Sequence, residues 1–382
     1  MASGVKVGVR IRPLLSKERH QGISFNSYDS TSVDFKGQTF TFDHVFGTEL
    51  SQQDLYNETA APMLKNFLEG YNVTVIAYGQ TGSGKTFSMG TSDIADVMED
   101  SQGLIPRFVT DLFENLKTGV EGGRLIDSKV MISFLEIYGE DVFDLNGHGE
   151  RVSLPIREDL TGGRGIFVEG LQCVQVSSAV LALDLLCNGT KNRVTGSTQM
   201  NAGSSRSHAV YTISLEQTLQ LSSSDDDIHQ MHSKLTFVDL AGSERLKRTG
   251  AEGQRLKEGI QINSGLFNLG QVINCLADDQ KLKNGGKPNH VPYRNSKLTH
   301  LLKDALGGNS QTLFLACVSP AESNENETLS TLNVRSIVFV NHFCYLLDYH
   351  ILLISLLLLI VVIFFICCFI MIVTSQLIGN NL

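Results

Sequence analysis

The sequence has few of the features that mark a zinc-binding, secreted or nucleic-acid-binding protein. Its seven cysteines form no CxxC pair and no His/Cys spacing of a zinc site. The N-terminus MASGVKVGVR has no apolar signal-peptide core, so we expect the folded part to be cytosolic. Lys and Arg number 31 against 40 Asp and Glu, and this acidic balance argues against a general nucleic-acid binder but allows a local basic patch.

Charge is also nearly absent from the C-terminal end. After Arg335 the only charged residue is Asp348, and the segment 351–373 contains one polar residue, Ser355. As a helix, this run of 23 residues would extend about 35 Å, enough to cross a bilayer core. The sequence therefore predicts a folded domain over 4–335, a connector over 336–350, a transmembrane helix over 351–373 and a polar tail over 374–382.

Strand-like and helical patterns alternate through the rest of the chain, without a repeat. The predicted strands are 5–11, 32–35, 39–42, 72–78, 130–138, 210–217, 234–240 and 312–318. The predicted helices are 50–68, 104–116, 178–187, 256–276 and 296–306. This order predicts an α/β fold with a mostly parallel central sheet and helices on both faces.

A glycine-rich loop follows the predicted strand 72–78 directly. The pattern GxxxxGK[ST] is formed by Gly79, Gln80, Thr81, Gly82, Ser83, Gly84, Lys85 and Thr86. Glycines allow backbone N–H groups to surround phosphate oxygens, the lysine reaches the β- and γ-phosphates, and the threonine hydroxyl binds Mg²⁺. The strand before the loop and the helical pattern after it are the context that this P-loop motif requires, so a chance match is improbable.

Two weaker patterns accompany the loop. The segment DLAGSE, 239–244, follows a strand and resembles a Mg²⁺-linked carboxylate with a γ-phosphate sensor, although acidic turns are common. The segment NAGSSRSH, 201–208, brings hydroxyls and one arginine before a strand, but alone it is better explained as a serine-rich turn. Only the combination with the P-loop makes the two patterns specific.

In this order the three patterns resemble the P-loop, switch I and switch II of the kinesin motor domain. RIRP at 10–13, FLEIY at 134–138 and VPYRNSKLTHLLKDALGGNS at 291–310 agree with the same family. The resemblance covers roughly 4–332, so the domain 4–335 is identified as a kinesin motor domain, a P-loop NTPase motor core. The segments GSERLKRTGAEG and LKEGIQIN look most like those of the chromokinesin branch.

The resemblance implies how the cofactors ATP and Mg²⁺ would be bound. Arg10, Arg12 and Pro13 would flank the adenine, with Phe87 on its other side, and the loop 79–86 would hold the phosphates and the metal. An aromatic-plus-arginine adenine site favours ATP. A guanine-nucleotide switch would share the P-loop and DxxG, but the sequence has no NKxD-type guanine reader.

The resemblance also implies a catalytic set around the γ-phosphate, in which Lys85 of the loop takes part. Ser205 would complete the metal shell begun by the loop threonine, and Asp239 would contact the metal through water. The Gly242 N–H would bond the γ-phosphate. Arg206 and Glu244 would pair across the closed switches and organise the attacking water.

A local basic surface follows switch II. Its members are Arg245, Lys247, Arg248, Arg255, Lys257, Lys281, Lys283, Lys287, Arg294 and Lys297. A solvated charged loop would explain such a cluster, but its position directly after the γ-phosphate sensor favours a binding surface for the acidic microtubule, as in kinesins. Asn295 and His300 stand where the family usually has Asp and Arg, so we expect weakened track affinity.

The family pattern stops after Leu332, and TLxYAxRA is replaced by TLNVRSIV. The last motor helix, the neck linker and a stalk are then divergent or missing, so ATP hydrolysis is a safer prediction than movement. Two alternatives remain open: a non-motile, nucleotide-gated microtubule binder, with or without a membrane tether, and a truncated product. The apolar run begins soon after the pattern stops and lacks flanking Lys and Arg, which also agrees with a translated non-coding end.

Overall fold

The computed structural model describes residues 5–16, 18, 30–91, 98–122, 125–147, 149–159, 165–199, 204–220, 228–244, 254–281, 290–307 and 310–333. The predicted connector, the predicted transmembrane helix 351–373 and the polar tail all lie outside these residues. Within them, no helix combines the length and the apolar character needed to cross a bilayer.

The described residues form thirteen strands and nine α-helices. The strands are β1 Val5–Ile11, β2 Ser32–Phe35, β3 Gln38–Thr41, β4 His44–Phe46, β5 Asn72–Tyr78, β6 Leu125–Tyr138, β7 Asp141–Asp144, β8 Ile156–Asp159, β9 Gly165–Val168, β10 Val174–Val176, β11 Ser207–Gln220, β12 Ile228–Asp239 and β13 Ser310–Val318. The helices are α1 Gln52–Glu58, α2 Ala60–Leu68, α3 Lys85–Met89, α4 Leu104–Glu121, α5 Ala179–Gln199, α6 Gln254–Lys281, α7 Lys297–Leu301, α8 Lys303–Gly307 and α9 Glu325–Leu332.

Nine of the strands form one sheet in the order β10-β6-β11-β12-β5-β13-β1-β4, with β7 beside β6. The predicted α/β core is confirmed, but the sheet is mixed rather than mostly parallel. The pairs from β12 through β5, β13 and β1 to β4 are parallel, whereas β10, β6, β11 and β12 pair antiparallel, as do β6 and β7. The reason is that only the seven residues 221–227 separate β11 from β12, which is too few for the crossover that a parallel pair needs.

The central strand β5 shows why helices cover both faces of the sheet. Val73, Val75 and Ala77 are buried in a core shared with α1, α2, α4 and α5, whereas Ile76 is buried in a second core shared with α6, α7, α8 and α9. A strand that is buried on both faces is apolar at successive positions, as NVTVIAY is. The prediction of helices on both faces is therefore confirmed.

Two predicted helices are each divided in the structure. The segment 50–68 forms α1 and α2, because the backbone bends at Thr59, whose hydroxyl donates to the Leu55 carbonyl at 2.5 Å. The segment 296–306 forms α7 and α8, separated at Leu302. Of the other predicted elements, β1, β2 and β5 have the predicted bounds, and β3 is shifted by one residue. The rest are longer than predicted, most of all α5 and α6.

The parallel half of the sheet positions the site. The carboxyl ends of parallel neighbours meet at one edge, and in β5 and β12 Ala77 is in register with Asp239. The glycine-rich loop that follows Tyr78 and the DLAGSE segment that begins at Asp239 therefore leave the sheet side by side. Two motifs that are far apart in the sequence meet at this edge.

Candidate functional site

The glycine-rich loop has a backbone that other residues would adopt only under strain. Gly79, Gly82 and Gly84 have φ angles of 144°, 76° and 100°, all in the left-handed half of conformational space. At Gly79 a Cβ would also lie 2.2 Å from the carbonyl oxygen of Cys317, which belongs to the neighbouring strand β13. Glycine is therefore required at the first loop position both by conformation and by the space available.

Lys85 is buried beneath this loop, with 6% of its surface exposed. Its ammonium donates to the carbonyl oxygens of Gly79 at 2.8 Å and Gln80 at 2.9 Å. Burial lowers the pKa of Lys85, and the nearby Asp239 partly opposes that shift. The structure thus holds a cation against the loop backbone, and the predicted contact of Lys85 with phosphates stays a prediction.

Asp239 is the meeting point of several buried groups. Its Oδ2 accepts hydrogen bonds from the hydroxyls of Thr86 at 2.9 Å and Thr91 at 3.2 Å, and it lies 3.1 Å from Nη1 of Arg193. Its other oxygen, Oδ1, is buried and has no hydrogen-bond partner among the residues that the structure describes. The predicted metal residues Thr86 and Asp239 are therefore in contact, and one carboxylate oxygen is left to bind something else.

The two switch segments are in contact through their backbones. The Gly242 N–H, predicted to sense the γ-phosphate, donates to the Ser205 carbonyl at 2.8 Å. The Ser243 N–H donates to the Gly79 carbonyl at 3.2 Å. Switch I, switch II and the glycine-rich loop thus form one connected unit. This places Ser205 and Gly242 next to each other, and their predicted roles stay predictions.

Glu244 contacts the glycine-rich loop rather than the predicted partner Arg206. Its Oε2 accepts from the Thr81 N–H at 2.8 Å and its Oε1 from the Thr81 hydroxyl at 2.5 Å. Arg206 ends a short 3₁₀ turn directly before β11. A pair between Arg206 and Glu244 would need the carboxylate to leave Thr81, so it stays a prediction for another arrangement of the switches.

Two of the predicted adenine residues, Arg10 and Phe87, are in contact with each other. Nη1 of Arg10 donates to Gln52 at 2.6 Å and Ser88 at 2.8 Å, and the guanidinium lies 5.3 Å from the ring centre of the half-exposed Phe87. Arg10 thus positions Phe87, and its own hydrogen bonds point into the protein.

Arg12 lies on the loop itself. Its Nε donates to the Gly82 carbonyl at 2.7 Å, and its two terminal nitrogens bind the carboxylate of Glu18 at 2.8 and 2.5 Å. Its Nη1 also donates to the carbonyl of the exposed Pro13 at 2.8 Å. Arg12 is therefore tied to the backbone of the glycine-rich loop, and the predicted adenine contacts of Arg12 and Pro13 stay predictions.

Two buried residues of the site are missing from the sequence prediction. Arg193 on α5 bonds Ser207 through its Nε at 3.2 Å and also reaches Asp239. Nδ1 of His208 accepts from the Ala241 N–H at 3.0 Å, and burial lowers the pKa of His208 to about 3. His208 belongs to a recognised motif and could have been selected. Arg193 lies in a polar stretch, KNRVTG, in which nothing indicates burial.

The predicted track residues are only partly described. Arg245, Lys247, Arg248, Lys283 and Lys287 lie outside the described residues, and for Arg255, Lys257 and Lys281 on α6 the backbone alone is described. Arg294 is exposed and binds Glu158 of β8, which also accepts from Lys303 at 2.7 Å. These two hydrogen bonds lower the pKa of Glu158 to about 2.

The remaining track residues belong to the same region. The Lys297 N–H donates to Glu140 at 2.9 Å. His300, which stands at a position where the family usually has Arg, lies 4.0 Å from the Glu158 carboxylate. The end of the predicted basic surface is thus joined to the β8–β9 hairpin by Glu158. We call Glu158, Arg294 and Lys303 the hairpin clamp.

Comparison with known proteins gives one consistent result. The family model of the kinesin motor domain matches residues 10–338. The chromosome-associated kinesin KIF4 of Mus musculus is 45% identical over 335 residues, and KIF4A of Homo sapiens is 46% identical over 334. The kinesin-like protein KIN-4C of Arabidopsis thaliana is 43% identical over 355 residues. Each match covers 86% of this chain but 26% of the relative, so the chain spans about a quarter of their length.

A solved structure has the same fold. It is described as that of a fast kinesin, with implications for its ATPase mechanism and its interactions with microtubules. The two chains superpose with a TM-score of 0.78 at 36% sequence identity, over 88% of this chain and 91% of that one.

Proposed function

The chain belongs to the kinesin motor family, and from that premise we propose that it is a Mg²⁺-dependent ATPase that is stimulated by microtubules and couples hydrolysis to microtubule binding. One observation carries the proposal: at one sheet edge, the buried Lys85, the Thr86–Asp239 contact and the Gly242–Ser205 contact lie around a single glycine-rich loop. Phosphoryl transfer depends on such positioning and on charge stabilisation more than on covalent chemistry.

The loop residues fit the phosphates of a nucleotide. Lys85 would hold the β- and γ-phosphates with the loop amides, and the Ser83 hydroxyl, which can donate to a phosphate oxygen, is buried without a hydrogen-bond partner among the described residues. Buried polar atoms of this kind are normally satisfied, so this hydroxyl is available to a ligand. On the adenine side, Phe87 offers an exposed ring braced by Arg10.

The residues present also fit Mg²⁺. Hard oxygen ligands suit this ion, and the unpartnered Oδ1 of Asp239 lies beside the Thr86 hydroxyl. Thr86 and Ser205 would hold the ion directly and Asp239 through water. Bound there, Mg²⁺ supplies charge neutralisation for the phosphate oxygens. Arg193 fixes the orientation of Asp239, because it occupies the opposite oxygen of the carboxylate.

The switches are placed to respond to the γ-phosphate. Gly242 N–H, which bonds Ser205, would turn to the phosphate, and Glu244 would move from Thr81 to Arg206 to organise the attacking water. The first change would give up one hydrogen bond of the structure, to Ser205, and the second would give up two, to Thr81, in exchange for the new contacts. Binding energy of the γ-phosphate would therefore drive the exchange, and its release would reverse it.

The partner that we propose is the microtubule. The basic surface lies directly after the γ-phosphate sensor in the chain, and attraction to an acidic filament accelerates encounter. Replacing Arg294 and Lys297 by Ala should weaken co-sedimentation with microtubules more than replacing Lys117 and Lys129, two lysines outside the predicted set. An equal loss of co-sedimentation in the two double variants would count against the proposal that this surface binds the microtubule.

Movement along the filament is a separate proposal. The resemblance implies a neck linker after the last motor helix, and the residues after Asn333 lie outside the described residues. The alternative is a non-motile, nucleotide-gated microtubule binder. It gives saturable co-sedimentation that depends on nucleotide, but no gliding of filaments over surface-bound protein. Gliding would decide in favour of a motor.

Membrane attachment through 351–373 also stays a proposal. It rests on the length and composition of the run. Flotation with neutral lipid vesicles tests it, with a chain ending at residue 333 as the control. The anchor predicts that the full chain alone floats, and the anchor is rejected if neither chain does.

Equilibrium binding tests the nucleotide site independently of turnover. In the presence of Mg²⁺ we expect the chain to bind ATP more tightly than GTP. Lys85→Ala should weaken ATP binding by about 1.5–3 kcal/mol, roughly ten- to a hundredfold, because a charged hydrogen-bond donor is lost. Lys6→Ala, an exposed lysine of β1, is the control and should bind normally. Preference for GTP would favour a guanine-nucleotide switch.

A further inference from the structure

A second cavity lies on the sheet face that is covered by the β8–β9 hairpin and by α7 and α8. It has a volume of about 280 Å³ and is separate from the glycine-rich loop, none of whose residues lines it. Strands β5, β6, β11 and β12 contribute its floor, and the hairpin and the two short helices contribute its walls. We call this cavity the hairpin cleft.

The floor of the hairpin cleft is a row of hydroxyls. Ser133, Thr212, Thr236 and Thr74 are directly opposite one another on four adjacent strands. One step closer to the nucleotide edge, the corresponding row is apolar and buried: it consists of Leu135, Val210, Val238 and Ile76. The face of the sheet thus changes from apolar to hydroxyl-bearing within one row.

The walls of the cleft are apolar. Ile166 and Val168 of β9 form one side, and Leu301 and Leu302 form the other. The free thiol of Cys173, an exposed residue, also lines the cleft. The cleft therefore combines apolar sides with a floor that can both donate and accept hydrogen bonds.

The described residues that line the cleft include one cation and one anion. They are Lys234 on β12 and Asp304 on α8, and within the described part of the chain neither forms an ion pair. One cation and one anion give no net attraction for an ion. A charged ligand would lose its hydration without a matching gain, so the cleft favours an uncharged ligand.

We propose that the hairpin cleft is a binding site for a small uncharged phenol-type molecule, with an apolar ring against the walls and a hydroxyl toward the floor. A purely apolar ligand would cover the hydroxyls of Thr212 and Thr236, the two partly exposed members of the row, without replacing their hydrogen bonds to water, which costs free energy. A phenol replaces them. The site does not overlap the nucleotide site, so it goes beyond the proposed ATPase.

Disulfide exchange at Cys173 tests this directly with the full chain. The probes are two disulfides, one with a phenol ring and one with a carboxylate in place of the ring, each incubated with reductant to equilibrium. We expect Cys173 to capture the phenol probe about tenfold better, which corresponds to about 1.4 kcal/mol, after correction for exchange with glutathione. Peptide mapping by mass spectrometry locates the label. Cys173→Ser, which lacks the capturing thiol, is the negative control.

Two variants make the result specific. Thr236→Tyr fills the centre of the floor and should abolish the preference for the phenol probe. Thr236→Val keeps the shape of the side chain but removes one hydroxyl, so it should reduce the preference for the phenol probe. This variant provides the test if Thr236→Tyr does not fold. Equal capture of both probes by the unmodified chain, or an unchanged preference in the folded variants, would overturn the proposal.

Discussion

At the scale of single residues, the site is arranged around Asp239. Thr86 and Thr91 bind one carboxylate oxygen, Arg193 approaches the same oxygen, and the other oxygen is left unpartnered in the described structure. Removing one member of a buried charged pair is costly because it leaves the other without compensation. Asp239 therefore has a structural role in addition to the proposed metal role, and its variants will combine both effects.

Gly79 offers a test of the loop conformation. Gly79→Ala should lower the free energy of unfolding by at least about 2 kcal/mol, since its Cβ meets the Cys317 carbonyl and its φ is positive. Gly37→Ala is the matched control: its φ is also positive, but no atom lies within 4 Å of the added Cβ, so about 1 kcal/mol is expected. Urea denaturation measures both, and equal losses would show that the close approach is unimportant.

His208 gives a prediction for pH. Burial lowers its pKa from 6.5 to about 3, so it stays neutral in the folded chain while the unfolded chain takes up a proton. Its contribution to stability is complete above pH 6.5 and is lost as the pH falls toward 3, at up to about 1.4 kcal/mol per pH unit. His208→Asn, which keeps an acceptor for Ala241, should lose less stability between neutral pH and pH 5. Urea denaturation at each pH measures the free energy of unfolding. An equal loss of this free energy in the two proteins across the range would contradict the assignment.

At the scale of elements, the sequence predicts local pieces better than their pairing. β5 is apolar at successive positions and is followed by the loop motif, so its bounds could be read directly from the sequence. The division of the helix 50–68 at Thr59 could not, because a threonine hydroxyl can bond a preceding carbonyl without ending a helix. The antiparallel placement of β6 next to β11 depends on contacts between distant segments, which local patterns do not contain.

The hairpin clamp is testable at this scale. Glu158→Gln removes the charge that Arg294 and Lys303 bind, so the β8–β9 hairpin should open more often. Backbone amides of β8 and β9 should then exchange hydrogen several-fold faster. Glu169→Gln, which breaks the exposed Arg157 pair on the same hairpin, should change exchange little. The clamp has no such role if both variants behave alike.

At the scale of the whole molecule, the sheet explains how remote motifs become one site. The sequence predicts the loop 79–86 and Asp239, because each carries a pattern next to a strand. It does not predict Arg193, because burial of a cation on α5 depends on the finished packing of α5 against the sheet. It also does not predict that Glu244 contacts Thr81, because the resemblance implies Arg206 as the partner of Glu244.

At this scale we propose that one sheet edge binds ATP and that the basic surface, which follows switch II in the sequence, binds the microtubule. Steady-state ATP turnover with and without microtubules tests it most directly, with Lys85→Ala as the inactive reference. We predict slow turnover alone, clear stimulation that saturates with microtubule concentration, and no stimulation in the variant. Turnover that microtubules leave unchanged, and that is as slow as that of Lys85→Ala, would contradict the account.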